Sequence, residues 1–237
     1  MKAGQVSVTS RDLRLLQDLA FWGVLSFSQI RQRHFAGLSL SVMSERLTKL
    51  HQAGLLRKQR VGILFHHGRP QEIGTVVVST NRGLSILNSV GLASHIVQRP
   101  KPINTAQLHH ELLLVDTATN LLRTDPGSKV FRGSHLVGAA KNLDRLPDLI
   151  IKNSHGMIAV ELELTAKSSM RYREILASYR VSAQFHKVIY VVSEPSIARK
   201  IRGLLGSNPT TSNSLGEVEK FSFVHLSALL EKEIRIV

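Results

Sequence analysis

The stretch LPDLIIKNSHGMIAVELELTAKS, residues 146–168, sets two short apolar runs on either side of Ser154-His155-Gly156 and carries Asp148, Glu161, Glu163 and Lys167 around them. Two strands joined by a tight turn form a hairpin. Side chains two apart on a strand share a face, so Glu161 and Glu163 point the same way, and the hairpin brings Asp148 to the Glu161 side. Carboxylates gathered on one sheet face repel each other unless a cation or a basic partner intervenes. One solution is a hard divalent ion such as Mg²⁺ or Mn²⁺, with Asp148 and Glu161 as ligands beside water and substrate phosphate. Such an ion could polarise a phosphodiester and activate water. The other solution is a charged hairpin edge, salt-bridged to Lys167, Arg171 or Arg173.

Around this hairpin the second half alternates helix and strand. LHHELLLVDTATNLLRT has a helical stripe through Leu108, Leu112, Val115 and Leu122. An amphipathic helix over AKSSMRYREILASYRVSAQF, a buried strand KVIYVVS and a helix SIARKIRGLLG follow the hairpin. A last strand near Lys220–Val224 and a helix at Ser227–Glu231 close the chain. That order implies an α/β domain with a mixed sheet and flanking helices. His109-His110 lacks the spacing of a helical metal pair. Tyr172, Tyr179 and Tyr190 fall in helical or strand runs and read as packing residues.

The first ninety residues differ. Ser10 can cap a helix from Arg11 to Trp22, and Ser26 or Ser28 a short one through Ile30 to Phe35. A third helix, about Ser41 to Ala53, keeps Met43, Leu47 and Leu50 for the core and ends at Gly54. LLRKQRV (55–61) and TVVVST (75–80) read as strands, with residues 62–74 as the loop between them. NRGLSILNSVG completes the half as a helix. Helix, helix-turn-helix, then a hairpin is the order of a winged helix-turn-helix. Its third helix presents Ser41, Ser44, Glu45, Thr48 and Lys49, which are short, polar or cationic groups that fit a major groove. The hairpin adds Arg57, Lys58 and Arg60, with His66, His67 and Arg69 at its tip, suited to phosphate or minor-groove contact. The expected division is 1–94, a proline-bearing linker 95–107, and 108–237. Residues 206–217, GSNPTTSNSLGE, read as a loop.

The formal charge is +14. Residues 1–105 hold 14 Lys+Arg against 4 Asp+Glu, and residues 106–237 hold 17 against 13. The basic excess therefore lies in the half with the helix-turn-helix pattern, and a polyanion is the natural partner. Aromatic residues make up only 5%, too few for a single-strand stacking platform, so double-stranded DNA is the expected ligand. There is no cysteine, which excludes disulfides and thiolate metal sites. No GxxxxGK[ST] loop supports nucleotide-driven work. The absence of an apolar signal core or spanning run leads to an expectation of a cytoplasmic protein without membrane contact.

Pro147-Asp148 followed by Glu161-Leu162-Glu163 and a nearby Lys167 resembles the PD-(D/E)XK nuclease-like signature. It departs from that pattern in carrying Glu163 where the lysine usually stands, with Lys167 as a displaced substitute. The chain from about residue 10 to 195 also resembles the replication-relaxation family of plasmid and mobile-element proteins. The matching pieces are RDLRLLQDLAFWGVLSFSQIRQRHF, SERLTKLHQAGLLRK, VVVSTNRGLSIL, LHHELLLVD, the PDL…VELEL pair and ILASYR. The resemblance implies a winged helix joined to a degenerate nuclease-like domain. It further implies DNA binding in a relaxosome, conjugative transfer or replication initiation, alongside a relaxase or replication protein. Sequence-specific binding and a homodimer are expected besides. Two other roles remain open: a Mg²⁺-dependent endonuclease using Asp148, Glu161, Glu163 and Lys167, and a repressor that dimerises through its C-terminal half. No cofactor is expected unless the acidic set cuts.

Overall fold

The computed structural model describes residues 6–66, 69–92, 103–135, 146–206 and 219–231. The chain is mixed α+β with two sheets, and it divides into two compact units, Met1–Val115 and Asp116–Val237.

The first unit runs α1 (Ser10–Trp22), β1 (Val24–Ser26), α2 (Phe27–His34), α3 (Leu40–Gln52), β2 (Leu56–His66), β3 (Arg69–Ser79) and α4 (Asn81–Ser89). Each helix begins where a hydroxyl can take an orphan amide. The cap of α1 is Thr9 rather than Ser10, because Thr9 has an acid three residues on. Its hydroxyl accepts the Asp12 N–H while the Asp12 carboxylate accepts the Thr9 N–H at 2.7 Å. Ser26 and Gln29 repeat this reciprocal pair at α2. Ser39 caps α3, two residues before the expected start. Gly54, at φ 71°, ends α3, and the Gly54 and Leu55 N–H groups return to the His51 and Leu50 carbonyls.

The three strands are antiparallel in the order β1-β3-β2. β1 was not expected from the sequence. Three residues are too short to show a period, and pairing with Val76–Val78 is what makes them a strand. The expected loop at 62–74 is also corrected: apart from residues 67–68, which lie outside the described residues, it is strand. Ladder pairs continue from Ile63↔Glu72 to His66↔Arg69. Gly62 and Gly74, both at positive φ, face one another at a register shift. They form a bulge that bends the ribbon without ending it. One sheet face meets the helices through Leu25 and Val77, both fully buried. The other meets α5 (Thr105–Thr124), whose Leu108 and Leu112 pack on Val24, Val76 and Val78. Gln29 Nε2 donates to the Leu112 carbonyl at 2.8 Å. The first half of α5 thus belongs to the first unit, and the division falls inside this helix. Of the expected linker, residues 105–107 are helical and residues 95–102 lie outside the described residues, as do residues 207–217 of the expected late loop.

The second unit adds β4 (Lys129–Arg132), β5 (Leu149–Asn153), β6 (Gly156–Glu163), α6 (Ser169–Val181), β7 (Phe185–Val192), α7 (Pro195–Gly206), β8 (Phe221–His225) and α8 (Leu226–Leu230). Its sheet has the order β4-β5-β6-β7-β8, antiparallel through β6 and parallel from β6 to β8. The mixed sheet agrees with the expected one, except for β4, which the sequence pattern did not reveal. Ile150, Ala159, Val188, Tyr190 and Val192 share one face and form a core with Tyr172, Ile175 and Tyr179 of α6 and Ile197 and Ile201 of α7. Ladder register places Glu161 beside Tyr190 and Glu163 beside Val192. Both acids therefore point into the face that α6 covers.

Candidate functional site

α3 divides cleanly. Met43, Leu47 and Leu50 are buried, while Ser41, Ser44, Glu45 and Lys49 are exposed and Thr48 is half-buried. Thr48 returns a hydrogen bond to the Ser44 carbonyl at 2.8 Å and accepts one from Lys58 Nζ at 2.9 Å. That second bond joins α3 to β2. Lys58 and Arg60, two apart on β2, share the face next to α3, whereas Arg57 faces the opposite side of the ribbon. The hairpin cations are thus split by strand period: Lys58 and Arg60 extend the α3 surface and Arg57 does not. The backbones of His66 and Arg69 pair at the far end of the hairpin, and His67 lies outside the described residues.

The Lys49 ammonium lies 2.6 Å from Glu45 and holds that carboxyl below its usual range. It neutralises the one acid on the exposed α3 face. Arg46 is not part of this face. Its guanidinium turns back to Asp12 of α1 and to the Ser7 carbonyl. Between α1 and α3 lies an open cleft of about 510 Å³, with Arg11 and Arg14 on one side and Val42, Glu45 and Lys49 on the other.

In the second unit the four acidic-site residues lie close together, but each carboxylate is committed to a protein donor. Asp148 accepts the Leu162 N–H at 2.9 Å, just before β5 begins. Glu161 and Glu163 are 1% and 2% exposed. Glu161 accepts the Tyr179 hydroxyl. Glu163 pairs with Lys167 through one oxygen and accepts the Tyr172 hydroxyl at 3.3 Å through the other. Lys200 donates to the Lys167 carbonyl at 2.7 Å, and both ammonium groups lie about 6 Å from the Tyr172 ring centre. Arg171, offered as a partner from the sequence, pairs with Glu174 instead.

The expected link between Lys167 and the acids is present, as a salt bridge. Tyr172 and Tyr179 do more than the packing expected of them. They are fully buried, yet their hydroxyls hold the two acids. Their i, i+7 spacing on one face of α6, facing an acid pair two apart on a strand, was the available signal. Asp148 and Glu161, the candidate metal ligands, each give one oxygen to a protein donor, the Leu162 N–H and the Tyr179 hydroxyl. Among the described residues no three His, Asp or Glu side chains converge on a point that could hold a metal.

Burial pushes the Tyr172 hydroxyl up to about 12; the hydrogen bond from the Lys167 N–H opposes it, and the Glu163 charge and hydrogen bond add to the rise. A folded pKa raised above the unfolded value of 10 stabilises the fold fully below pH 10. That contribution is lost as pH rises through about 12. Ultraviolet titration at the phenolate band should show a tyrosine ionising near pH 12 in wild type and lower in Glu163→Gln. Ionisation of all three tyrosines near pH 10 in the folded protein would contradict the placement.

In comparisons with known proteins, no family model, curated protein or solved structure matches the chain. Among the described residues no helix is long and apolar enough to cross a membrane.

Proposed function

We propose that the first unit is a winged helix-turn-helix that binds duplex DNA sequence-specifically, with α3 in the major groove and the β2–β3 hairpin on the backbone. The observation that carries this reading is the Lys58–Thr48 bond. It makes the polar face of α3 and the cations of the hairpin one surface, in the half of the chain that holds most of the basic excess. The second unit, in this reading, is a nuclease-like fold that positions or assembles a DNA-processing complex of a plasmid or integrative element, with a relaxase or replication protein as partner and a second copy of the chain. Buried, protein-bonded Glu161 and Glu163 favour that role over cutting.

Fluorescence anisotropy with duplex DNA across a salt series tests the reading. Each phosphate contact removed should reduce the slope of log affinity against log salt by about 0.9. Lys58→Ala with Arg60→Ala is expected to lower it by about 2, and Arg57→Ala to leave it nearly unchanged. Affinity that does not respond to salt would overturn the proposal. Supercoiled plasmid incubated with Mg²⁺ on the same samples is expected to stay intact. Cleavage that Asp148→Ala abolishes would establish the endonuclease reading instead. A footprint confined to the protein's own promoter would establish the repressor reading.

A further inference from the structure

The first turn of α3 exposes two large apolar side chains, Leu40 at 56% and Val42 at 46%. Neither contributes to the core of the first unit, which α3 enters through Met43, Leu47 and Leu50. A β-branched residue on an exposed helix face is mildly unfavourable for the helix itself, so Val42 gains nothing locally. Successive residues on a helix are about 100° apart, so Leu40 and Val42 flank Ser41 on opposite sides of the exposed surface. Their neighbours leave them accessible. Ser41 is small and its hydroxyl is tied to Ser39 at 2.8 Å, while Glu45 is drawn toward Lys49.

The surroundings decide what covers these methyl groups. Arg14 and Lys49 stand near Val42, and Lys58 is bonded to the same helix two turns on. An apolar protein partner would have to desolvate these charged groups around Val42, the Lys49–Glu45 pair among them, whereas duplex DNA sets phosphate against the cations. Inside the major groove the one apolar group on any base edge is the thymine 5-methyl. A recognition helix meets base edges with its N-terminal residues, and that is where Leu40 and Val42 lie.

We infer that Leu40 and Val42 determine sequence specificity by packing on thymine 5-methyl groups, so that the bound site carries thymines under the first turn of α3. The inference rests on the DNA-binding reading above and deepens it.

The experiment has two stages. A bound duplex is first selected from a random library with the full chain. Each thymine is then replaced by deoxyuridine, which removes only the methyl group, and affinity is measured at one fixed salt concentration. Wild type should lose about fourfold at one or two thymines, the worth of burying one methyl group. Val42→Ala or Leu40→Ala should bind the original duplex more weakly and no longer distinguish thymine from deoxyuridine at the corresponding position. Their salt slope should be unchanged, because no phosphate contact is lost. Both positions are exposed and alanine is a strong helix former, so the variants retain the fold. Salt-dependent duplex binding with no deoxyuridine penalty anywhere would overturn this inference and leave the DNA-binding reading standing. Failure to select or bind any duplex would overturn both.

Discussion

Replacing Arg46 with alanine is expected to destabilise the first unit by about 3 kcal/mol, the lower end of the range for breaking a buried ion pair. Asp12 is 1% exposed, and among the described residues Arg46 supplies its only salt bridge, with Nε 2.9 Å from Oδ1 and Nη2 on Oδ2. The same guanidinium reaches the Ser7 carbonyl at 2.7 Å, tying α3 to the chain just before α1. The low end applies because the Arg46 side chain keeps 24% of its exposure and Asp12 retains its Thr9 bonds. Burial by itself would raise the Asp12 carboxyl. Hydrogen bonds from Arg46 and Thr9 outweigh it and hold the group below its ordinary 3.8. A carboxylate with a depressed folded pKa contributes stability above the unfolded value, and that contribution is lost as pH falls through the folded one. Arg46→Ala should therefore lower the urea midpoint at neutral pH and move the acid unfolding limb to higher pH. In a double-mutant cycle with Asp12→Asn the losses should be strongly non-additive. A change within about 0.5 kcal/mol of wild type, the range of ordinary surface substitutions, would show that the pair does not hold α1 to α3.

Gly83→Ala should be comparably damaging, with a sign opposite to the usual one. In an exposed helix interior, alanine stabilises over glycine by about 0.5–1 kcal/mol. At Gly83 of α4 a new Cβ would stand 2.2 Å from the Leu55 carbonyl oxygen and 3.2 Å from Leu16 Cδ2. The nearer atom is backbone at the start of β2, anchored by the Gly54 turn, so no flexible side chain can yield. The start of α4 is stitched to the same turn, since the Thr80 hydroxyl donates to the Gly54 carbonyl at 2.6 Å and accepts the Gly83 N–H at 3.1 Å. Relief requires α4 to move off α1 and β2, at a cost of about 3 kcal/mol for a severe overpacking. Thermal melting should show a clear loss, and an unchanged or raised midpoint would mean that the close approach is absent. Because α3 and β2 meet at this turn, duplex affinity should fall with the fold.

Much of the local structure was legible because it depends on short-range chemistry. Helix starts follow hydroxyl-to-amide capping, and the errors there are small. Thr9 outranks Ser10 because its third neighbour is Asp12, and α3 starts at Leu40, just before the expected Ser41, because the Ser39 hydroxyl takes the Val42 N–H. The core stripe of α3, the two hairpins and the mixed sheet follow from periods of 3.6 and 2. Strands of three or four residues are too short to show an alternation and were invisible: Val24–Ser26 and Lys129–Arg132 exist because a neighbour pairs with them. Gly62 and Gly74 looked like loop ends, and only the register shows that they face one another across a bulge.

The sequence alone determined that the chain is basic mainly in its first half, that Glu161 and Glu163 share a strand face, and that α3 turns Met43, Leu47 and Leu50 to the core and Ser41, Ser44, Glu45 and Lys49 outward. The tertiary structure decided what those facts mean. Whether a strand face with two carboxylates is wet or dry depends on which helix crosses it, and α6 brings Tyr172 and Tyr179 onto both acids. Whether hairpin cations join the α3 surface depends on pairing register, which keeps Lys58 and Arg60 and turns Arg57 away. Composition and period are properties of one segment. The partner of a carboxylate or an ammonium group is set by contacts between segments distant along the chain, and no local pattern encodes them.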